Sequence, residues 1–163
     1  MHNKVVHTLA RILIALGVVC VRFNYRGVGK SDGAFSDSDG ETDDCVAVGE
    51  WLRARHPAVP IWLAGFSFGG GIALKAAADL HPARLVLVAP SVTLHGFDAL
   101  STSLPTLVIQ GAEDEVVSPQ AVKAWAKTKA PQAVYLSVPG VGHFFHGALN
   151  TLRDRLTESL GIR

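Results

Sequence analysis

The stretch that decides the fold is Gly65-Phe66-Ser67-Phe68-Gly69, a G-x-S-x-G motif. The apolar run at residues 60–65 predicts a buried strand before it, and the alanine-rich residues 68–80 predict a helix after it. A serine between a strand and a helix is typical of a strained turn that lifts its hydroxyl above the carboxyl edge of a sheet. We expect the strand and helix to crowd both glycines. Ser67 is a candidate nucleophile, and a turn that serves only tight packing is the alternative.

Strand and helix patterns alternate on both sides of this motif. Further helices are predicted near residues 5–16, 41–55, 120–129 and 150–160, and strands at 18–25, 60–65, 84–89, 105–110 and 133–138. Strands separated by helices form parallel sheets with helices on both faces. The sequence therefore predicts a three-layer α/β/α sandwich with a mainly parallel sheet of about five strands. We expect a single domain over residues 1–163, without a cap domain.

Composition narrows the class of protein. The 163 residues are 48% hydrophobic and 18% charged, with a formal net charge of +1. This excludes a disordered chain and disfavours nucleic-acid binding, which needs a clustered positive field. The apolar residues 12–21 are too few to span a bilayer, so no membrane partner is expected. Two cysteines, Cys20 and Cys45, make no disulfide framework, and we expect a cytoplasmic protein.

An acid and a base follow two later strands. Asp114 comes just after the fourth predicted strand and His143 just after the fifth, so both should emerge at the same sheet edge as Ser67. A serine hydroxyl needs a base, and that base needs an acid to orient it. Glu113 or Glu115 could replace Asp114, and His146 could replace His143. A metal pair of the two histidines is disfavoured because no third ligand is evident nearby.

Other residues around the motif are candidates for contact with a substrate. The Phe68 N–H would point at a reacting carbonyl and form part of an oxyanion hole. Candidate lining residues are Phe66, Leu94, Phe97 and Phe144. Leu94 and Phe97 lie in a loop at residues 91–103 that is too short to enclose a long acyl chain, and core contacts are the equal alternative for them.

The chain resembles the α/β-hydrolase superfamily. The resemblance rests on Phe23-Asn24-Tyr25-Arg26-Gly27-Val28-Gly29-Lys30-Ser31, on the G-x-S-x-G motif, and on the loops 111–117 and 142–147. It is similar to small, lidless bacterial serine esterases. The resemblance implies that Ser67, Asp114 and His143 are nucleophile, acid and base of a carboxylic ester hydrolase. It also implies a small-molecule ester substrate, with no cofactor and no metal.

The chain departs from this family at its N-terminus. Relatives have further strands before the position of Met1, together with a loop that supplies a second oxyanion donor. The sheet is therefore expected to be incomplete beside residues 18–25, and a homodimer that covers the gap is one resolution. A truncated, non-catalytic or weakly active protein is an alternative, as is a thioesterase, peptidase or acyltransferase with the same three residues.

Overall fold

The computed structural model describes residues 3–161, which form one parallel sheet between two layers of helices. The sheet order within these residues is β1-β2-β3-β4, and every pair is parallel. The strands are β1 (Trp62–Phe66), β2 (Arg84–Val88), β3 (Thr106–Gly111) and β4 (Ala133–Val138). The helices are α1 (Lys4–Ala15), α2 (Asp39–Arg55), α3 (Phe68–Leu80), α4 (Pro119–Lys129) and α5 (Leu149–Ser159), with a 3-10 turn at Phe97–Ala99.

Side chains at the helix starts satisfy backbone donors that have no partner within the helix. The Asn3 side chain accepts hydrogen bonds from the Val5 and Val6 N–H groups at 2.9 and 3.2 Å, and α1 begins there. Ser118 caps α4 in the same way, and Pro119 occupies the first turn, where its missing N–H has no cost. These local signals agree with the helix positions expected from the sequence.

The central strands β2 and β3 are buried on both faces, whereas the edge strand β4 is only partly buried. Leu63, Leu85, Leu87 and Val108 pack on one side against α2, α3 and α4. Alternate residues on the same strands, such as Val86 and Leu107, pack on the other side against α1 and α5. Since side chains alternate across a strand, near-continuous apolar runs are what a sheet covered on both faces requires. The α/β/α layering expected from the sequence is confirmed.

The prediction of a strand at residues 18–25 is wrong. This segment forms neither helix nor turn, and within residues 3–161 no backbone ladder joins it to the sheet, so the described sheet has four strands. An apolar groove of about 450 Å³ lies between the segment and β1, and it is lined by side chains that include Leu9, Leu13 and Phe23. A β-branched sequence favours extended backbone, but a strand also needs a neighbour within hydrogen-bond reach. Here the groove separates the segment from β1, and the two do not pair.

No helix in the part of the chain that the structure describes is long and apolar enough to cross a membrane. A single domain without a cap stays a prediction.

Candidate active site

The turn at Ser67 joins β1 directly to α3. Ser67 has φ 53° and ψ −122°, a strained conformation for a residue with a side chain. Its N–H donates to the Val88 carbonyl at 2.9 Å, which ties the turn to β2. A Cβ on Gly65 would lie 2.6 Å from the Gly70 nitrogen and closer still to the Gly69 carbonyl, so the strand and helix leave no room there. The expected crowding is wrong for Gly69, where the nearest atom would be the Tyr25 hydroxyl at 3.5 Å.

Three side chains form a hydrogen-bonded chain at the carboxyl edge of the sheet. Ser67 Oγ lies 3.0 Å from His143 Nε2, and His143 Nδ1 lies 2.8 Å from Asp114 Oδ2. The Asp114 side chain is completely buried and that of His143 is 2% exposed. A carboxylate only accepts, so His143 must donate from Nδ1. Neutral imidazole then carries its lone pair on Nε2, facing the serine hydroxyl, and can take its proton.

Asp114 is held by donors on every side. Its Oδ1 accepts from the Val116 and Val117 N–H groups at 2.9 and 2.7 Å. Its Oδ2 accepts from Gln110 Nε2 at 2.7 Å as well as from His143. Gln110 was missed by sequence reasoning, although a polar residue at the end of the apolar strand β3 was a usable signal. These four donors leave the carboxylate no freedom to rotate.

The alternative acid and base residues occupy different places. Glu113 is exposed. Glu115 is also exposed, and its Oε2 accepts from the backbone N–H of His143 at 3.2 Å, so it supports the loop rather than the imidazole ring. His146 is exposed, with its ring against Phe144 at 5.7 Å between centroids. The structure brings Asp114 and His143 to Ser67 and leaves these three aside.

The candidate lining residues divide into two groups. Phe66 is 8% exposed with its ring centroid 4.9 Å from that of His143, while Phe144 is 44% and Leu94 52% exposed. Phe97 is fully buried, so its assignment as a lining residue is corrected in favour of a core contact. The 3-10 turn directs its ring onto α3 at Gly71, where an added Cβ would lie 2.8 Å from the ring Cζ and closer to other ring atoms.

The Phe68 N–H lies at the start of α3. The first amides of a helix have no partner within it, and the helix dipole places partial positive charge there. This N–H directly follows Ser67 in the chain, so it is available to an oxyanion formed at that residue.

The two cysteine thiols take no part in the hydrogen-bonded chain of Ser67, His143 and Asp114. Cys20 and Cys45 are free thiols. Burial raises the pKa of both, that of Cys45 to about 11, so they stay protonated at neutral pH. No group of three His, Cys, Asp or Glu side chains among residues 3–161 is placed to hold a metal ion.

A parallel sheet sandwiched by helices, with a serine at the strand-to-helix turn, defines an α/β hydrolase architecture. Comparison with known proteins agrees. A family model described as serine aminopeptidase, S33, matches residues 1–100, which include Ser67 but not Asp114 or His143. The chain belongs to this family of α/β serine hydrolases.

Two solved structures of α/β serine hydrolases are similar to this chain. The chain is 45% identical to an α/β serine hydrolase homologue from Coxiella burnetii, with a TM-score of 0.94, covering 98% of this chain and 77% of that one. It is 47% identical to a lidless α/β serine hydrolase from Xanthomonas campestris, with a TM-score of 0.91, covering 97% and 72%. An uncharacterized protein of Rickettsia prowazekii is 32% identical over 89% of this chain, which spans 66% of that relative's length.

Proposed function

We propose that the protein cleaves short-chain carboxylic esters, with Ser67 as nucleophile, His143 as general base and Asp114 as the acid that orients it. The observation that carries this proposal is the hydrogen-bonded chain Ser67–His143–Asp114, with its 3.0 and 2.8 Å distances. Buried acid, buried imidazole and a hydroxyl at a strained turn together meet the needs of an activated serine.

In the first half of the reaction, Ser67 Oγ bonds to the ester carbonyl carbon while His143 Nε2 takes the hydroxyl proton. The carbonyl π electrons move to oxygen, and the Phe68 N–H stabilises the resulting charge. Asp114 stabilises the imidazolium without itself becoming protonated. The carbon–alkoxide bond then breaks, His143 donates its proton to the leaving alcohol, and an acyl-serine ester remains.

In the second half, water replaces the alcohol. His143 takes a proton from the water as its oxygen bonds to the acyl carbon, and it returns that proton to Ser67 Oγ when the acyl-serine bond breaks. The carboxylic acid leaves and the enzyme is restored. No electron donor or acceptor takes part, so the proposed reaction needs no cofactor.

The preference for short acyl chains rests on the loop after β2. Phe97 turns into the core, and of the two residues in this loop considered for the acyl site, only Leu94 remains exposed. A long acyl chain would therefore keep most of its length in water, so its extra CH₂ groups do not gain the burial free energy, about 0.8 kcal/mol each, that would offset the conformational entropy lost when the chain is ordered at the site. We expect kcat/KM to fall steeply from acetate through butyrate to palmitate esters. Equal turnover of acetate and palmitate esters would contradict this specificity.

A fluorophosphonate probe tests the nucleophile. We expect the probe to label the wild type at micromolar concentration and to leave Ser67→Ala unlabelled. Ser103→Ala, which removes an exposed serine away from the site, is the matched control and should be labelled as the wild type is. Absence of labelling on folded wild type would overturn the proposal and favour a non-catalytic protein.

A peptidase is the second candidate, favoured by the description of the matched family as serine aminopeptidase. The same three residues serve amide hydrolysis, so substrates must decide between them. We expect p-nitrophenyl acetate to be cleaved faster than aminoacyl p-nitroanilides by purified protein. The reverse order, abolished by Ser67→Ala, would assign a peptidase.

We also propose a cytoplasmic location. Cys20 and Cys45 are both free, as expected in a reducing compartment. Cell fractionation with an antibody to the protein tests this, and recovery in a membrane or secreted fraction would contradict it.

A further inference from the structure

A group of aromatic rings packs around the side chain of Phe68, the residue after Ser67, and these side chains take no part in the chemistry above. Phe35, in the loop before α2, is 62% exposed. Its ring centroid lies 5.7 Å from Phe68 and 6.3 Å from His95, and those two lie 5.2 Å apart. Because Phe68 directly follows Ser67 in the chain, these three rings, the aromatic platform, lie next to the turn that carries the serine. The buried Phe97 ring packs against the platform, 6.0 Å from Phe68 and 5.8 Å from His95. Since 62% of Phe35 stays exposed, the outer surface of its ring is open to a ligand that packs on this group.

The loop that carries Phe35 is fixed rather than loose. The Glu41 carboxylate is fully buried and accepts from the Ser36 and Ser38 N–H groups, each at 3.0 Å. The Ser36 hydroxyl also accepts from the Gly40 N–H at 2.7 Å. These bonds anchor the chain immediately after Phe35. Its ring is therefore presented by a defined backbone, as a binding site requires.

Strained backbone joins the two loops of the platform. Asp37, Ser38 and His95 have φ values of 51°, 88° and 55°, in the left-handed region that side chains disfavour. The His95 ring contacts the Asp37 carboxylate, which ties one loop to the other. Such strain persists only where surrounding contacts hold it, and it concentrates at ligand sites.

We propose that the aromatic platform of Phe35, Phe68 and His95 binds an aryl group of the ester substrate. The proposal rests on the proposed function and narrows its substrate class to small esters that carry a phenyl-sized ring. The ring could belong to the acid or to the alcohol, because both portions of an ester lie close to the reacting carbonyl. The shared chemistry is an aromatic ring packed against aromatic rings.

Ring geometry favours an aryl group over an alkyl group of the same size. Phe68 already meets His95 edge to face at 80°, and Phe35 meets His95 at 78°. Aromatic pairs in such arrangements are worth more than the area they bury, because ring edges and faces carry opposite partial charge. A saturated ring would gain only the area contribution. One extra pair corresponds to about a 2- to 10-fold preference.

Matched esters test the preference. Methyl 3-phenylpropanoate is compared with methyl 3-cyclohexylpropanoate for an aryl acid, and benzyl acetate with cyclohexylmethyl acetate for an aryl alcohol. We expect the wild type to show a phenyl-to-cyclohexyl ratio of kcat/KM of about 2 to 10 in at least one pair. The pair that shows it assigns the ring to the acid or the alcohol side.

Two variants tie the ratio to the platform. Phe35→Leu keeps an apolar side chain but removes the most exposed ring of the platform, and we expect the ratio to fall toward 1. Trp51→Leu removes another exposed ring, on α2 and outside the platform, and should leave the ratio unchanged. A wild-type ratio near 1 in both pairs, or a ratio that Phe35→Leu leaves intact, overturns the proposal.

Binding without turnover separates this proposal from the proposed function. Ligand-observed NMR on Ser67→Ala gives the Kd of the same esters, and we expect the phenyl preference to appear there and to vanish in Ser67→Ala/Phe35→Leu. Aryl preference in binding without probe labelling of the wild type would retain the platform and overturn the hydrolase. Labelling of the wild type without any aryl preference would retain the hydrolase and overturn the aromatic platform.

Discussion

Replacing each glycine of the G-x-S-x-G motif by alanine should give opposite results at the two positions. A Cβ at Gly65 would lie inside the backbone of the first turn of α3, 2.6 Å from the Gly70 nitrogen. Gly65 does not have the positive φ that would itself disfavour alanine, so the effect is steric. At Gly69 the nearest atom to a new Cβ would be the Tyr25 hydroxyl at 3.5 Å, an ordinary contact.

The size of the effect follows from these distances. To restore normal contact in Gly65→Ala, α3 must move away from β1 by about 1 Å, a displacement that can cost about 100-fold in rate at a catalytic group. Ser67 lies between the two elements, so its hydroxyl would leave the position 3.0 Å from His143 Nε2. Overpacking of this kind costs about 1–3 kcal/mol in the free energy of unfolding. Gly69→Ala should be neutral, or more stable by up to about 1 kcal/mol, since alanine favours helix.

Urea unfolding followed by tryptophan fluorescence measures the stability of both variants, and the rate of fluorophosphonate labelling measures the site. We expect Gly65→Ala to lose stability and labelling rate together, and Gly69→Ala to keep both. Equal losses in the two variants, or a larger loss in Gly69→Ala, would refute the steric argument.

Four further predictions concern groups around the site and the sheet edge. Asp114→Asn should keep the fold and lower kcat by about 10⁴-fold, because an amide can hold the wrong imidazole tautomer, whereas Glu113→Gln should match the wild type in the same assay. Gln110→Leu removes a hydrogen bond to Asp114, and should lower kcat by roughly 10-fold at unchanged KM. It should also shift the proton NMR signal of the His143–Asp114 hydrogen bond, and an unaltered signal would contradict a positioning role for Gln110. Burial acts to raise the pKa of Glu41, but the hydrogen bonds that its carboxylate accepts from Ser36 and Ser38 prevail, so the pKa is lowered. The stability that this group contributes should therefore be present above about pH 4.3 and be lost as the pH falls further. Glu41→Gln should flatten this acid dependence of the urea midpoint. If a second copy of the chain covers the edge of β1, sedimentation velocity should show a dimer whose fraction rises with concentration. Val21→Lys, which places a charge in the groove beside β1, should weaken that dimer, and a monomer at every concentration would exclude the dimer.

The sequence was sufficient to predict the site because all three residues occupy equivalent positions, each just after a strand. Each of Ser67, Asp114 and His143 follows the carboxyl end of a strand, and parallel strands bring those ends to one edge. Gln110 was not predicted from the sequence, because its hydrogen bond to Asp114 depends on the direction of one side chain within β3. Phe97 escaped because no periodicity distinguishes a loop residue that turns inward from one that turns toward a ligand, and the space that accepts it is set by Gly71 on α3.

Glu41 shows a different limit. An acidic residue near a helix start is expected to complement the helix dipole, and exposure at the surface would satisfy that role. In the structure its carboxylate is buried and organises the loop before α2, including the backbone that presents Phe35. The residue type was informative about the helix, whereas the contribution of Glu41 to the site depends on how residues 36–40 fold back onto its carboxylate.

The segment at residues 18–25 shows that a sequence with high β-strand propensity does not always pair with a sheet. Its β-branched residues favour extended backbone, but hydrogen bonding to β1 depends on what occupies the space between them. That space is an apolar groove of about 450 Å³, and Val19 beside it is 61% exposed. Backbone N–H and C=O groups along a strand edge need partners or water, and a second copy that covers this edge stays a prediction. The incomplete edge is therefore a property of pairing between distant segments, which no window of sequence around residues 18–25 contains.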